Sequence, residues 1–233
     1  MVEVSCEDKQ RAVLSLCLWE RTHDADGTES AAALEGGSWR DEGTGYTPVP
    51  VYRFLAVEEQ STDGGQKPLT ALVSYPRSGN SLLRRLLEEA TGVVTGSDTR
   101  PDRTLSRSLV AYGMQGEGVV DGRVRVVKSH FPERVGYKPF EAGRVILLVR
   151  SPFDAIESYF NMTLTNTHNQ SLHDSVYEDF SSLWDGMVRN EIQVWEKFNL
   201  HWLSCGLPMI VIRYEDLVRH TSEVMGRLLD FLG

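Results

Sequence analysis

The sequence predicts an α/β protein with a three-layer, doubly wound and mostly parallel sheet, and three observations support this fold class. Short apolar runs alternate with amphipathic helical patterns from residue 69 onward, which is typical of strands joined by helical crossovers. The run RVILLVR at 144–150 is apolar on both faces, as expected of a central strand in a parallel sheet. The chain has 233 residues, 41% of them hydrophobic, which is enough to bury a sizeable core.

Each predicted strand is a compact apolar run that ends in polar or turn-forming residues. The first run, TALVSY, stops before Pro76, and the third precedes the pair Ser151-Pro152. The four predicted strands are residues 70–75, 123–128, 144–150 and 208–213.

Helices are predicted after the first, third and fourth of these strands. The first shows leucines on one helical face and ends at Gly92, a common helix stop; these leucines are Leu82, Leu83, Leu86 and Leu87. A second helix begins at Ser151-Pro152, because proline suits the first helical position. A long helix rich in Trp is predicted over about 179–203, and a last helix begins near residue 222.

The first 67 residues differ in composition from the remainder. They contain thirteen acidic and six basic residues, with many small and polar residues between 24 and 45. Such a stretch is typical of a flexible linker or surface excursion. We therefore predict an acidic, partly flexible N-terminal segment over 1–67 and an α/β domain over 68–233.

The distribution of charge narrows the class of ligand. The net charge is −9, yet residues 77–150 hold thirteen basic and eight acidic residues. An acidic protein with a basic centre is a poor candidate for binding long nucleic acid, and it suits one small anion in a local positive pocket. An accidental grouping of surface arginines remains the alternative at this point.

No segment has the apolar length of a membrane span or the pattern of a secretory signal peptide. The three cysteines lack metal-ligand spacing and fit a reducing compartment, so we expect neither a disulfide framework nor a metal site. Two formal glycosylation sequons begin at Asn161 and Asn169, but such triplets arise often by chance. We therefore expect a cytoplasmic protein rather than one of the secretory lumen.

Residues 75–81 (YPRSGNS) form a predicted strand-to-helix turn at the place where doubly wound sheets bind ligands. Its glycine permits close approach of a ligand, and the following helix presents N–H groups and a positive dipole end to an anion. Side-chain donors are available from Arg77, Ser78, Asn80 and Ser81. The turn is not the nucleotide-binding P-loop, because it has one Gly, Gly79, and no Lys; a simple capped helix start is the alternative.

Two further strand ends have chemistry suited to an anion. His130 follows the second strand and is available as a general base, with Lys128 on the same side of an extended chain. Arg150 ends the third strand, and Ser158 lies on the first two turns of the next helix, so both can close on one phosphate. Each feature alone also fits an ordinary surface residue, but three anion-friendly strand ends in order favour a shared site.

These residues resemble the sulfotransferases that use 3′-phosphoadenosine 5′-phosphosulfate (PAPS). Their loop Y-P-K-S-G-T-T-W is similar to YPRSGNSL at 75–82, and their K-T-H-L-P is similar to KSHFP at 128–132. Their R-N-P-x-D-x-x-x-S-Y is similar to RSPFDAIESY at 150–159, and R-Y-E-D-L occurs at 213–217. The resemblance covers residues 70–233, and it makes the first turn a strand–loop–helix phosphosulfate-binding motif.

The resemblance implies a role for each of these residues. The 5′-phosphosulfate of PAPS would be held by the loop residues Arg77, Ser78, Gly79, Asn80 and Ser81. The 3′-phosphate would be held by Arg150 and Ser158. His130 would take the proton of the acceptor hydroxyl (or amine), while Lys128 and Arg77 would neutralise the moving sulfuryl group. PAPS would be the co-substrate, no metal is required, and the acceptor would be a small molecule, glycan or peptide hydroxyl.

The sequence departs from this family in three places. Arg77 replaces a Lys and cannot donate a proton, and Leu82 replaces the Trp that backs the adenine. The sequence ends at Gly233, where relatives continue into a basic loop, so we expect weaker closure over the nucleotide, a different lid or an incomplete gene product. A kinase-like phosphotransferase and a non-catalytic nucleotide-binding relative are the competing predictions. The missing Lys after Gly79 counts against the kinase.

Overall fold

The computed structural model describes residues 52–62, 65–167 and 172–233. Most of the predicted acidic segment therefore lies outside the described residues. The described part belongs to one unit, Tyr52–Gly233. The predicted domain boundary between residues 67 and 68 stays a prediction.

A parallel sheet of five strands forms the centre of this unit, in the order β4-β5-β3-β6-β7 along the sheet. A separate antiparallel pair joins β1 and β2. In chain order the strands are β1 (Ser61–Thr62), β2 (Gly65–Gln66), β3 (Leu69–Val73), β4 (Gly96–Ser97), β5 (Val126–Ser129), β6 (Ala142–Val149) and β7 (Met209–Arg213).

Helices connect β3 to β4, β4 to β5 and β6 to β7, whereas the described connection from β5 to β6 contains no helix. In chain order the α-helices are α1 (Asn80–Thr91), α2 (Thr104–Ala111), α3 (Pro152–Thr165), α4 (Ser175–Asp179), α5 (Ser181–Leu203), α6 (Tyr214–Arg219) and α7 (Thr221–Leu232). Proline occupies the first position of α3, and Gly92 ends α1 in the left-handed conformation.

Two apolar clusters cover opposite faces of the sheet, because successive strand residues point to opposite sides. The larger cluster contains Leu72 of β3 together with Ile146 and Leu148 of β6, and it packs these against helices α1, α6 and α7. Val127, the neighbour of Val126 on β5, belongs instead to a second cluster with Val94 and Val124, against which Tyr52 and Phe54 pack. The fold is therefore the three-layer α/β arrangement that the sequence predicts.

The strand order identifies the edge of the sheet at which a ligand site is expected. Connections from β3 lead to β4 on one side, whereas those from β6 lead to β7 on the other. The carboxyl ends of β3 and β6 are thus a topological switch point, where α/β sheets form a crevice. The turn after β3, the start of α3 after β6 and the segment after β5 all begin at this edge.

Several elements differ from the sequence prediction, which contains neither the helices α2 and α6 nor the β1–β2 pair. The second strand spans Val126–Ser129 rather than 123–128, because Asp121 accepts hydrogen bonds from the backbone and side chain of Arg123 and holds a turn there. The predicted helix 179–203 starts at Ser181, after the separate helix α4. The two-residue strand β4 has too few residues for a periodic signal, and its pairing with β5 defines it.

Within the described ranges, no helix combines the length and apolarity needed to cross a membrane. The same residues contain no group of three or more His, Cys, Asp or Glu side chains arranged to hold a metal ion.

Candidate active site

The turn between β3 and α1 is almost entirely buried and has an unusual backbone. Ser74, Tyr75 and Ser78 are each at most 1% exposed. Arg77 has a φ of 66° and Gly79 a φ of 95°, so two of its residues adopt the left-handed region that side-chain-bearing residues seldom occupy. Such backbone strain clusters at ligand-binding turns.

Gly79 is required at its position for two independent reasons. Its positive φ favours glycine, and an added Cβ would lie 2.4 Å from Cδ2 and 2.6 Å from Cε2 of Tyr214. Gly79 also forms the N-terminal boundary of α1 and has no side chain to cap it. The first N–H groups of the helix are therefore presented at the turn without a competing side-chain acceptor from this position.

Arg77, Ser158 and Arg150 come together although they are far apart in the chain. Arg77 Nε donates to Ser158 Oγ at 2.9 Å, which joins the turn to α3. Arg150 Nη1 donates to the backbone oxygen of Arg77 at 2.9 Å. The Arg150 guanidinium also lies 4.5 Å from the ring centroid of Tyr214, a favourable cation–π distance. Two arginines and a serine hydroxyl thus meet at the switch point.

Several polar atoms in this region are buried without a hydrogen-bond partner among the described residues. They are Ser78 Oγ, Asn80 Oδ1 and Arg150 Nε. A buried unsatisfied polar group is costly and calls for an explanation, such as a ligand. Ser78 Oγ and Arg150 Nε are donors, which suits an anion with several oxygens. Asn80 Nδ2 donates to Ser74 Oγ at 2.8 Å, which fixes the orientation of that amide.

The remaining predicted loop residue, Ser81, is exposed on the first turn of α1. Its neighbour Leu82 is also exposed, with 39% of its surface accessible. Both side chains therefore face outward at the helix end that borders the turn.

His130 lies at the end of β5 and contacts the turn after β3. Its Nδ1 lies 2.7 Å from the backbone oxygen of Ser74. A carbonyl can only accept, so Nδ1 donates and the neutral ring has its basic lone pair on Nε2. Burial, with the positive charges of Lys128 and Arg134 in support, holds the pKa of His130 well below its usual 6.5. The ring is therefore neutral at pH 7 and able to accept a proton.

Lys128 precedes His130 by two residues and lies against β4. Its Nζ donates to Thr99 Oγ1 at 3.0 Å. Burial lowers the pKa of Lys128 to about 8, against the opposing influence of Asp98 and Glu117. The positive charge of Lys128 also lowers the pKa of His130.

A further polar cluster follows His130. Arg134 donates its backbone N–H to the oxygen of His130 at 2.9 Å and its side chain to the hydroxyl of Tyr159. The Tyr75 hydroxyl donates to Glu191 Oε2 at 2.6 Å, and the Tyr75 and Tyr159 rings meet edge to face. Burial raises the pKa of Glu133, which ion-pairs with Arg134. This cluster joins the turn after β3 to α3 and α5.

The sequence reasoning missed two residues of the site. Tyr214 packs against Gly79 and Arg150, and Glu215 Oε1 accepts the backbone N–H of Ser151 at 3.0 Å. Both belong to the R-Y-E-D-L segment, which the sequence analysis noted without giving it a role. Pattern alone shows no contact between this segment and residues more than sixty positions away.

A parallel sheet with a glycine-containing turn at its central strand, and with arginines converging on that turn, defines a P-loop-like α/β protein. The family model of the sulfotransferase domain matches residues 67–233. The chain belongs to this sulfotransferase family.

Curated relatives include proteins named as WSCD family members. One from Drosophila melanogaster is 36% identical over 165 residues, which cover 70% of this chain and 50% of the relative. One from Aedes aegypti is 34% identical over 177 residues, covering 73% of this chain and 54% of the relative. The chain thus spans about half the length of these relatives.

Solved sulfotransferase structures are also similar. Mouse sulfotransferase SULT7A1, complexed with PAP, has a TM-score of 0.43 and 16% identity over 71% of this chain and 58% of its own. A sulfotransferase from Alicyclobacillus acidocaldarius has a TM-score of 0.43 and 14% identity over 72% of this chain and 81% of its own.

Proposed function

We propose that the protein transfers a sulfuryl group from PAPS to an acceptor hydroxyl (or amine), with His130 as the general base. The observation that supports this most directly is the meeting of Arg77, Ser158 and Arg150 at the switch point. Beside them lie two donors, Ser78 Oγ and Arg150 Nε, that have no hydrogen-bond partner among the described residues. Membership of the sulfotransferase family supports the reaction class. PAPS as donor and the role of His130 rest on the residue geometry.

Two separate anionic groups of PAPS match two parts of the site. The 5′-phosphosulfate would bind the turn, where Arg77, Ser78 and the N-terminal N–H groups of α1 offer donors. The 3′-phosphate would bind between Arg150 and Ser158. Arg150 Nε has no partner within the part of the chain that the structure describes, so it is available for such a bond.

The transfer requires little covalent chemistry from the protein. The acceptor oxygen forms a bond to sulfur while the bond from sulfur to the phosphate oxygen breaks, and adenosine 3′,5′-bisphosphate (PAP) leaves with that electron pair. His130 Nε2 takes the proton of the acceptor. Lys128 and Arg77 balance the negative charge on the transferring group and the leaving oxygen.

Nucleotide binding provides the first test. PAP at one hundred times its dissociation constant should stabilise the folded chain by about 2.7 kcal/mol, seen as a rise in melting temperature. ATP with Mg²⁺ is the comparison ligand. Stabilisation by ATP with Mg²⁺ but not by PAP would favour the kinase-like alternative. Radiolabelled PAPS incubated with a pooled extract should then give a labelled product whose identification names the acceptor.

Arg150→Ala tests the 3′-phosphate site. Removing a charge-assisted hydrogen bond should cost about 1.5–3 kcal/mol of binding, or roughly ten- to hundredfold in PAP affinity. Arg189→Ala is a suitable control, since 79% of that side chain is exposed on α5 and it pairs only loosely with Asp185 at 3.6 Å. Equal PAP affinity in wild type and Arg150→Ala would exclude Arg150 from the site.

A further inference from the structure

The end of β4 places a group of buried charges beside Lys128. Asp98 is 5% exposed and Glu117 is 7% exposed. Glu117 forms an ion pair of 2.5 Å with Arg84, whose side chain is 1% exposed. None of these three residues takes part in the sulfuryl transfer proposed above, yet all three influence the pKa of Lys128 or of the carboxylate beside it.

Asp98 is fixed against the backbone of the strand that holds Lys128. Its N–H donates to the backbone oxygen of Lys128 at 3.0 Å, and its Oδ2 accepts from Ser129 Oγ at 2.5 Å. Gly136 packs on the carboxylate so closely that an added Cβ would lie 2.4 Å from Oδ2. The carboxylate is therefore held in one place by two neighbours and cannot swing out to water.

Thr99, the next residue, contacts the ammonium group directly. The parallel pairing of β4 and β5 sets Ser97 opposite Lys128. Thr99 Oγ1 accepts a hydrogen bond from Lys128 Nζ at 3.0 Å, while the backbone N–H of Thr99 donates to Ser97 Oγ at 3.1 Å. The direction of the Lys128 side chain is thus set by a residue of the neighbouring strand.

Asp98 and Glu117 are the two carboxylates of this group, and Asp98 is the one bonded to the backbone of Lys128 itself. The negative charge of Glu117 is matched by Arg84 at ion-pair distance. The other groups that act on Lys128 are positive or neutral: Arg84 from α1, Arg134 from the turn after β5, and the neutral ring of His130. Burial of an ammonium group without a compensating carboxylate lowers its pKa.

We propose that Asp98 and Thr99 are positioning residues for Lys128: Thr99 directs the ammonium group, and Asp98 supplies the negative charge that keeps it protonated for catalysis. This role rests on the proposed sulfuryl transfer, in which Lys128 must be positive. The lowering of the Lys128 pKa to about 8 by burial, opposed by Asp98, is consistent with a charge close to being lost.

The test is an NMR titration of the full-length chain labelled with ¹³Cε-lysine. The chain has five lysines, and Lys128→Arg identifies the signal of interest by its disappearance. The Lys128 signal should titrate near pH 8 in wild type, and Asp98→Asn should lower the midpoint by roughly one pH unit. Asp102→Asn is the matched control, because this nearby carboxylate is 62% exposed and should leave the midpoint unchanged.

Thr99→Val gives an independent result that does not disturb the buried carboxylate. It should lower the rate of PAP release from PAPS about tenfold, as loss of a hydrogen bond to a charged group predicts, with PAP affinity unchanged. In a Lys128→Arg background neither substitution should alter the alkaline side of the pH–rate profile, because the guanidinium stays charged.

An unchanged Lys128 midpoint in a folded Asp98→Asn protein would overturn the proposal. If Asp98→Asn does not fold, the Thr99→Val variant provides the test. An unchanged rate of PAP release by folded Thr99→Val would then overturn the proposal. A wild-type chain that neither binds PAP nor transfers sulfuryl would overturn the proposed function itself, and this role with it, whatever the NMR midpoint.

Discussion

His130 and Lys128 lie in surroundings that lower the pKa of both side chains. For His130 the lowering favours the neutral base, whereas for Lys128 it reduces the charge that the transfer needs. Burial is the largest cause for both residues, because an apolar environment disfavours the charged form of any group. The proposed chemistry therefore has a limited pH range.

His130→Ala should leave the protein folded and able to bind PAP, because the imidazole serves the acceptor rather than the nucleotide. Turnover should fall by about 10²–10⁴, the usual contribution of a positioned general base. His173→Ala is the control, since that side chain is exposed and its Nδ1 hydrogen-bonds to Ser175. Wild-type turnover by folded His130→Ala would move the base to another group, such as a carboxylate near the acceptor.

The pH dependence of kcat/KM should have two limbs. On the acidic side the rate should rise as His130 loses its proton, at a pH well below 6.5; the value near 6.5 expected for an unperturbed histidine does not apply, because the ring is buried beside Lys128. On the alkaline side the rate should fall as Lys128 loses its proton, near pH 8. Lys128→Arg should remove the alkaline limb, and an acidic limb at 6.5 or above would contradict the assignment.

At the scale of elements, the turn between β3 and α1 depends on a helix that comes 135 residues later. Gly79 lies against the Cδ2–Cε2 edge of the Tyr214 ring at the start of α6, and the Arg150 guanidinium lies over the same ring. Glu215, the next residue, holds the N-terminal end of α3 through Ser151. The beginning of α6 therefore aligns both elements that are proposed to bind the nucleotide.

Gly79→Ala should impair both stability and nucleotide binding. The positive φ costs roughly 1–3 kcal/mol for a residue with a side chain, and the Cβ would displace Tyr214 and with it Arg150. Gly92→Ala is a matched control: its φ is +68°, but an added Cβ meets no described atom within 4 Å. The control should lose stability only, so equal PAP affinities for the two variants in calorimetry would contradict the role of Tyr214.

At the scale of the whole unit, a buried network joins α1 to the edge of the sheet. Arg84 pairs with Glu117 and donates to the side chain and backbone of Thr95, while Glu88 accepts from the same threonine. Such a network is satisfied only in one arrangement of helix and strand. It therefore helps to fix the helix whose N-terminus faces the proposed anion site.

Glu117→Gln should destabilise the protein by about 3–5 kcal/mol, because it leaves the buried Arg84 without its counter-charge. Glu89→Gln is the control: Glu89 is 51% exposed and pairs with Arg85 at 3.3 Å, so its loss should cost less than about 0.5 kcal/mol. Urea denaturation measures both. A similar loss for the two variants would show that the buried pair contributes no more than a surface pair.

The expected cytoplasmic location stays a prediction. Of the two sequons, the one at Asn161 lies in α3, and its side-chain oxygen accepts the backbone N–H of Leu172 at 2.9 Å. The sequon at Asn169 lies outside the described residues.

The sequence by itself predicted the fold class and the approximate positions of four strands, and it predicted a site at the carboxyl ends of three of them. These features are local: a strand, a turn with Gly79 and an amphipathic helix follow one another within some twenty residues, and Arg150 stands directly after its strand. Periodicity and turn chemistry register such short-range patterns. The chemical types of Lys128 and His130 were likewise visible from their position after a strand.

Only the tertiary structure decided which residues meet and how they are charged. The contact of Tyr214 with Gly79, the burial of Asp98 beside Lys128 and the two-residue strand β4 all depend on segments distant in the chain. A pKa is set by burial and by neighbouring charges, neither of which a linear pattern records. Long-range packing therefore determines how strongly His130 can act as a base and at what pH Lys128 remains a cation.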